Sequence, residues 1–396
     1  MHRLKLVLAG VMLASSTMIA ADDSRDFEVS GFARVVAGYL NESTASYQGY
    51  DDSLSVSEQS LLGLQAEYAF NDQLSVAAQL LAHSGDNRNS GVEWLYVRYE
   101  PTPNWRFKAG KLRTPLFKYS DSLDVGFAYP WITPPQQIYS AYFFTNYDGI
   151  TATYRQFYTN TSVDIEAFWG KYEETSNFTG DEIPVGADPL CGLVLRLQRN
   201  NLELHAGYIE SEDFTADIPE LEQFAQTLDF AGFAQSAESL RFDGKADGFV
   251  VGLNYNSLDY FVAAEWSKIE SDVLLVPSNE SFYATVGYNF YPFQVHATYA
   301  SSEVEYQQAS NQIPLGLSPE LDQLSFAYDG IIAALPEDEL DSITVGIRYD
   351  IRTNVALKGE VSWLDGAQAE RAFFIISDNT FDRQATLYQV AVEWVF

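Results

Sequence analysis

Hydrophobic and polar side chains alternate along most of the chain with a period of two residues. In the segment 282–290, Phe282, Ala284 and Val286 alternate with Tyr283 and Thr285, and many other segments repeat this pattern. A period of two places successive side chains on opposite faces of a β-strand. Each run is about ten residues long, which is the length that a tilted strand needs to cross a membrane. The pattern predicts sixteen strands, approximately at 27–40, 59–70, 73–83, 91–100, 104–113, 148–158, 161–171, 190–199, 201–210, 247–256, 258–268, 280–290, 292–302, 341–350, 354–364 and 384–396.

The connections between these predicted strands alternate strictly between short and long. The short ones are hairpin-sized and mostly rich in turn-forming residues, and they lie at 71–72, 101–103, 159–160, 200, 257, 291 and 351–353. The long ones lie at 41–58, 84–90, 114–147, 172–189, 211–246, 269–279, 303–340 and 365–383. Both chain ends therefore fall on the short-turn side. Outer-membrane barrels have this arrangement, with short periplasmic turns and longer extracellular loops.

We therefore expect an all-β fold, a transmembrane antiparallel β-barrel of about sixteen strands. Alternating strands also build soluble sandwiches, but sixteen strands of this length would then need unusually large sheets. Closing the sheet removes exposed edges, and in lipid that closure is obligatory. Aromatic residues near the predicted strand ends favour a membrane location because they match the interfacial girdles of a barrel. Examples are Trp105, Phe107, Tyr158, Trp169, Tyr208, Tyr260, Trp266, Phe290, Phe293, Tyr349 and Trp363.

The N-terminus has the features of a secretory signal peptide. Arg3 and Lys5 are basic, residues 6–14 are apolar, and Ala20 and Ala21 offer a small-residue cleavage site. The apolar run is too short to span a bilayer as a helix. We expect a signal peptide at 1–21 and a single barrel domain at 22–396, exported to the outer membrane of a Gram-negative cell.

The charge balance is strongly acidic, with 55 Asp and Glu against 23 Lys and Arg and a formal net charge of −32. Removal of the predicted signal peptide makes the charge two units more negative, because that segment contains Arg3 and Lys5. Nucleic acid is excluded as a partner, since phosphate binding needs a basic face. The single cysteine, Cys191, excludes an intramolecular disulfide, and a lone cysteine does not support a zinc ribbon.

Two segments carry a resemblance to a known family. The last strand has apolar residues at alternate positions and ends in Phe396, and the segment 114–147 follows the sequence GKLR (110–113) and contains YPW (129–131). The terminal strand resembles the closing strand of Gram-negative outer-membrane proteins, and the whole mature chain resembles Gram-negative porins of the gammaproteobacterial type. The resemblance implies that 114–147 folds into the lumen, that the protein is a homotrimer, and that the barrel-assembly machinery recognises the strand ending in Phe396.

The expected function is passive diffusion of small hydrophilic solutes or ions through a water-filled pore, since a sixteen-stranded barrel is wide enough for an aqueous channel. Two alternatives stay open. One is a porin selective for an anion, phosphate or sugar, with Tyr96, Arg98, Arg106 and Lys108 lining its path. The other is a plugged surface adhesin or structural barrel. Enzymatic activity is not expected: beyond the predicted signal peptide there are three histidines, and no catalytic motif accompanies them.

Charged residues within strands are expected to face the lumen, because a charge facing lipid at mid-bilayer costs roughly 2–4 kcal/mol. Opposed charges across a pore set its ion preference. We expect Arg106 and Lys108 on the wall to face Asp121 and Asp124 on the long loop. The alternative is that the lumen charges pair with one another. The predicted pore-lining and constriction residues are Arg98, Arg106, Lys108, Asp121, Asp124, Arg155, Arg196, Arg348 and Lys358.

The long loops are rich in acidic residues, and no cofactor is expected. Oxygen ligands of this kind suit Ca²⁺ or Mg²⁺, so these loops could bridge through such ions to lipopolysaccharide; a merely solvated acidic surface is the alternative. The acidic residues are Glu173, Glu174, Asp181, Glu182, Asp188, Glu212, Asp213, Asp217, Glu220, Glu222, Asp229, Glu337, Asp338, Glu339 and Asp341.

Overall fold

A computed structural model of the chain describes residues 27–85, 90–140, 144–178, 181–335, 339–367, 371–378 and 380–396. The predicted signal peptide at 1–21 lies outside these residues. The strands are β1 Phe27–Leu40, β2 Ala45–Tyr47, β3 Leu61–Asn71, β4 Leu74–His83, β5 Gly91–Thr102, β6 Trp105–Arg113, β7 Asn146–Phe157, β8 Thr161–Phe178, β9 Asp181–Arg199, β10 Leu202–Ala216, β11 Asp243–Asn256, β12 Tyr260–Ser271, β13 Ser278–Phe290, β14 Phe293–Glu305, β15 Leu340–Arg352, β16 Val355–Gly366, β17 Phe374–Ile376 and β18 Gln384–Val395. The helices are α1 Gln136–Tyr139, α2 Pro219–Phe230, α3 Ala234–Glu238 and α4 Pro319–Ile332.

Sixteen of these strands form one closed antiparallel barrel in which each strand pairs with its neighbours in sequence. The ring closes where β1 pairs with β18, in a register that places Phe32 opposite Val395 and Leu40 opposite Leu387. The remaining two, β2 and β17, form a separate small sheet. The prediction of a closed sixteen-stranded barrel is confirmed, and closure leaves no backbone edge unpaired in the membrane.

The alternation of side chains separates a lipid face from a lumen face on each strand. On β15, the outward Ile343, Val345 and Ile347 are each about half exposed, whereas Ser342 between β14 and β16 is buried. Charged wall residues such as Lys358 point inward. This division follows from solvent preference, since apolar side chains face lipid and polar ones face the lumen.

Exposed aromatic side chains form two belts around the barrel. Near the short turns, Tyr288, Phe290, Phe293 and Tyr349 stack in succession, with ring centroids 6.1, 5.6 and 4.9 Å apart. Near the long loops, Tyr39 lies 6.4 Å from Tyr388, and the pairs Phe249–Trp266 and Phe282–Tyr299 lie at 6.2 and 5.5 Å. Aromatic rings favour the two membrane interfaces, so these belts mark the edges of the lipid band.

The long connections contain structure that the alternation did not predict. Residues 172–189 are mostly a hairpin extension of β8 and β9 rather than a loop. Helices α2 and α4 each begin with Pro at the first turn followed by acidic residues, and Ser318 caps α4 by accepting a hydrogen bond from the backbone N–H of Leu321. These helices bury Leu228, Leu240 and Tyr328 in an apolar cluster beyond the barrel. Among the described residues, none of the helices has the length and apolar character required to cross a membrane.

The connection between β6 and β7 is here called loop L3, and its described residues, 114–140 and 144–145, lie inside the barrel. Its side chains join wall residues in the largest buried apolar cluster among the residues that the structure describes. The prediction that the third loop folds into the lumen is confirmed.

Candidate functional site

Loop L3 packs by its apolar side chains against one side of the barrel wall. Leu116, Phe117, Trp131, Ile138 and Tyr139 are buried in the same cluster as wall residues of β8 to β14. The wall contributions are Phe168, Val194, Ile209, Val250, Ala263, Tyr283 and Ala300. Trp131 also donates a hydrogen bond from its indole nitrogen to Thr298 Oγ1 at 2.8 Å. Burial of this apolar area holds L3 across the lumen rather than outside it.

Lys358 on β16 binds the backbone of L3 directly. Its Nζ donates to the carbonyl oxygens of Gly126, Tyr129 and Trp131 at 2.7, 2.9 and 2.5 Å. It also lies 2.8 Å from Glu393 Oε2 on β18. The side chain is 1% exposed. Lys358 faces the lumen as predicted, but it does not border open pore space, because L3 covers it completely.

Two arginines on β1 and β15 hold the same stretch of L3, and β18 and β16 lie between these two strands in the barrel. Arg34 on β1 donates to the carbonyl of Ile132 at 3.1 Å and to the hydroxyl of Tyr129 at 3.2 Å. Arg348 on β15 donates to the carbonyl of Phe127 at 2.9 Å, and its guanidinium lies 4.2 Å from the Phe127 ring centroid. Burial raises the pKa of Tyr129, so its hydroxyl stays neutral at physiological pH.

Asp124 on L3 pairs with a residue directly before the start of the loop rather than with a residue across the pore. Arg113, at the end of β6, lies 2.6 Å from Asp124 Oδ2 and 2.8 Å from Glu93 Oε1, and all three side chains are buried. The predicted pairing of Asp124 with Arg106 or Lys108 is wrong. Sequence reasoning missed Arg113; the signal that could have identified it is its position just before L3 in the segment GKLR.

Most of the remaining predicted basic residues form ion pairs with carboxylates on the wall. Arg106 Nε lies 2.5 Å from Glu100, not opposite L3 as predicted. Arg155 Nε lies 2.8 Å from Asp164, and Arg196 lies 2.6 Å from Glu166. Arg98 pairs with Glu67 and Arg348 with Asp350. These pairs leave little net positive charge along the wall.

A cavity of about 660 Å³ remains between L3 and the wall formed by β18, β1 and β3 to β8, and we call it the passage. Among its charged lining residues, Arg113 and Glu166 are already paired. Lys108 on β6 and Asp121 on L3 have no ion-pair partner among the residues that the structure describes. Lys108 Nζ lies 5.2 Å from the Tyr96 ring centroid. The passage is also lined by Gln65, Gln79, Trp94, Val125 and Thr151. Among the described residues, the charges in the passage that lack an ion-pair partner are thus Lys108 on the wall and Asp121 on L3.

A membrane-spanning barrel whose lumen is narrowed by an inward loop defines a channel protein. Residues 6–393 match the family of Gram-negative porins. This chain belongs to that family, and it is an outer-membrane channel for passive diffusion. The comparison with curated protein sequences gave no match.

Solved structures with the same fold include three outer-membrane proteins. A loop L8 deletion mutant of OmpT of Vibrio cholerae is 15% identical, with a TM-score of 0.56 and coverage of 93% of this chain and 99% of that one. The anion-selective porin from Comamonas acidovorans is 13% identical, with a TM-score of 0.56 and coverage of 93% and 99%. OmpF of Salmonella typhi, in complex with daunomycin, is 13% identical, with a TM-score of 0.55 and coverage of 93% and 97%. At these identities the likeness concerns the fold alone.

Proposed function

We propose that this porin is a non-catalytic diffusion channel for small hydrophilic solutes with a preference for cations over anions. The observation that carries the proposal is the neutralisation of the basic wall. Arg98, Arg106, Arg155, Arg196 and Arg348 each lie beside a carboxylate. An ion that crosses the passage therefore meets Lys108 and Asp121 as the charges without an ion-pair partner in the described chain.

The acidic residues at the extracellular end support the direction of this preference. The extended hairpin of β8 and β9 borders a cavity of about 680 Å³ that is lined by Glu173, Glu174, Asp188, Asp213 and Asp217. Lys171 and Lys111 pair with the first two, which leaves an acidic excess. A negative potential at a channel entrance raises the local concentration of cations.

The proposed role of the acidic loops is to supply a negative electrostatic potential rather than to form a metal site. In the described parts of the chain, no group of three or more Asp, Glu, His or Cys side chains is placed to hold a metal ion. The side chains of Asp181 and Glu182, and residues Glu337 and Asp338, lie outside what the structure describes. Bridging of lipopolysaccharide by Ca²⁺ or Mg²⁺ stays a prediction. It is tested by measuring the binding of lipopolysaccharide to the purified protein with and without a chelator.

Selectivity for anions, phosphate or sugars receives less support. Of the basic residues named for that alternative, Arg98 and Arg106 already lie beside Glu67 and Glu100, which leaves Lys108 as the one without an ion-pair partner in the described chain. A plugged adhesin also receives less support, because L3 leaves a cavity of about 660 Å³ between itself and the wall.

We also propose that the protein forms a homotrimer. The supporting observation is that OmpT of Vibrio cholerae, which shares the fold at 14% identity and a TM-score of 0.54, has a structure described as a trimer form.

The test is the reversal potential of single channels in a planar lipid bilayer under a salt gradient. We expect cation preference in the wild type, a weaker preference in Asp121→Asn and a stronger one in Lys108→Met. Asp259→Asn, on the exposed β11–β12 turn, removes the same charge away from the passage and serves as the matched control.

Anion preference in the wild type would overturn the proposal. An Asp121→Asn channel with the same reversal potential as Asp259→Asn would overturn it as well. A bilayer that stays silent although the protein is folded would favour the plugged barrel instead.

A further inference from the structure

Three neighbouring strands place a histidine, a glycine and a glutamate in one straight row on the lumen face. His205 on β10 is opposite Gly252 on β11, and Gly252 is opposite Glu265 on β12. His205 Nε2 lies 2.9 Å from Glu265 Oε1 across the middle strand. This is a close polar contact rather than a well-aligned hydrogen bond, and both side chains are almost fully buried.

The glycine in the middle strand is what allows the two outer side chains to meet. A Cβ atom built on Gly252 would overlap the His205 ring and lie 2.8 Å from Glu265 Cγ. Real Cβ atoms essentially never approach heavy atoms so closely. Any larger residue at Gly252 would therefore separate the imidazole from the carboxylate.

A second row repeats the arrangement on β14, β15 and β16. His296 is opposite Gly346, and Gly346 is opposite Glu360. His296 Nε2 lies 3.2 Å from Glu360 Oε1, again with both side chains buried. A Cβ atom on Gly346 would overlap His296 Nε2 and lie 2.9 Å from Glu360 Cγ.

Each row presents its carboxylate to the backbone of L3. The Lys118 N–H donates to Glu265 Oε1 at 2.8 Å, and the Ile132 N–H donates to Glu360 Oε1 at 2.8 Å. Tyr139 adds a hydroxyl donor to Glu265 Oε2 at 2.5 Å. Hydrogen bonds to a charged acceptor are stronger than neutral ones, so these carboxylates are strong fixed points for a loop.

The two fixed points lie at either end of the part of L3 that borders the passage. Asp121 and Val125 line the passage, and both lie between Lys118 and Ile132. Movement of either end would shift these side chains relative to the opposite wall.

We propose that the two His–Gly–Glu rows are positioning elements that fix residues 119–131 of L3 and thereby set the width of the passage. The glutamates accept the loop's N–H groups, the histidines hold the carboxylates in orientation, and the glycines provide the space. This inference rests on the channel function, but it does not depend on which ion the channel prefers.

The first test compares glycine variants of the full-length protein by single-channel recording. Gly252→Ala and Gly346→Ala should give a broadened distribution of conductance levels, with transitions that the wild type lacks. Gly359→Ala is the matched control on β16, because a Cβ there would lie 3.9 Å from Ile347 and 4.0 Å from Gln389, which is ordinary contact. One sharp level in all three variants, equal to that of the wild type, would overturn the proposal.

A second test does not depend on the glycine variants folding. Hydrogen–deuterium exchange reports the protection of the Lys118 and Ile132 amides in the wild type and in substitutions of Glu265. Glu265→Ala should speed exchange at Lys118 about tenfold or more, the equivalent of one hydrogen bond to a charged group. Glu265→Gln keeps an acceptor oxygen and should restore protection and the single conductance level. The Ile132 amide should stay protected in both, because Glu360 holds it separately.

If Glu265 had only a general role in folding, Glu265→Ala and Glu265→Gln would not differ in the exchange rate of the single Lys118 amide. Equal exchange at Lys118 in Glu265→Ala and Glu265→Gln would contradict the proposal, as would a Lys118 amide unprotected in the wild type. A wild type with the wrong ion preference but with protected amides would overturn the proposed selectivity and leave the positioning rows intact.

Discussion

Replacing Lys358 by methionine should destabilise the protein more than any single change at an exposed ion pair. The Nζ atom holds three carbonyl groups of L3 and lies 2.8 Å from Glu393, with both side chains 1% exposed. Methionine keeps the length of the side chain but removes the charge and every donor. Glu393 is then left as a buried charge without its cation.

The size of the effect follows from that loss. Breaking a buried pair by removing one partner costs about 3–5 kcal/mol, because the remaining charge stays desolvated. Lys111→Met is the matched control, since it removes a half-exposed pair with Glu174 at 2.8 Å and should cost about 0–1 kcal/mol. The double variant Lys358→Met with Glu393→Gln removes the unpaired charge, so it should be more stable than Lys358→Met alone.

The measurement is the free energy of unfolding in lipid vesicles or detergent, from denaturant titrations that are followed by tryptophan fluorescence. Trp131 lies in the part of L3 that Lys358 holds and is buried, so release of the loop changes its contribution to the emission of the chain's seven tryptophans. The reasoning would be refuted if Lys358→Met cost no more than Lys111→Met. It would also be refuted if the double variant were less stable than Lys358→Met.

Two further predictions concern assembly. Phe396 is 55% exposed at the barrel rim, and its backbone exchanges two hydrogen bonds with Gly31 at 2.9 and 2.7 Å. Phe396→Ala should therefore lower the amount of barrel in the outer membrane of cells. Refolding of the purified protein should stay nearly unchanged. A parallel loss in both assays would place the effect on stability and not on recognition by the assembly machinery. Native mass spectrometry in mild detergent should give a mass of three chains, and a monomer that persists at high protein concentration would contradict the homotrimer.

The strands could be predicted from the sequence because their pattern is imposed locally. A residue such as Ile343 faces lipid and its neighbour Thr344 does not, and this holds whatever the rest of the chain does. The alternation of short and long connections then fixed the antiparallel order and the number of strands. The porin-like segment beginning near residue 114 correctly indicated the loop inside the lumen.

The helices beyond the barrel were missed although they carry a local signal. Ser318 and Pro319 form a helix start, and acidic residues follow in the first turn. The burial of Tyr328 against Leu228 and Leu240, which makes α4 stable, joins segments about a hundred residues apart. A pattern of period two gives no information on such a contact.

The pairing of charges at the pore was decided by the tertiary structure alone. The sequence indicated that Lys358 and Arg106 face the lumen, as they do, and it placed Asp124 on the long loop. Their partners depend on strand register and on the path of L3, which bring Lys358 to Glu393 and Asp124 to Arg113. The same holds for the His–Gly–Glu rows, whose members are 47 and 13 residues apart in the first row and become neighbours only through the ladder. Side-chain periodicity is set by the solvent on each face of a strand, so the sequence alone determines it. Electrostatic partners are set by distances of a few ångströms between segments that only the closed barrel brings together.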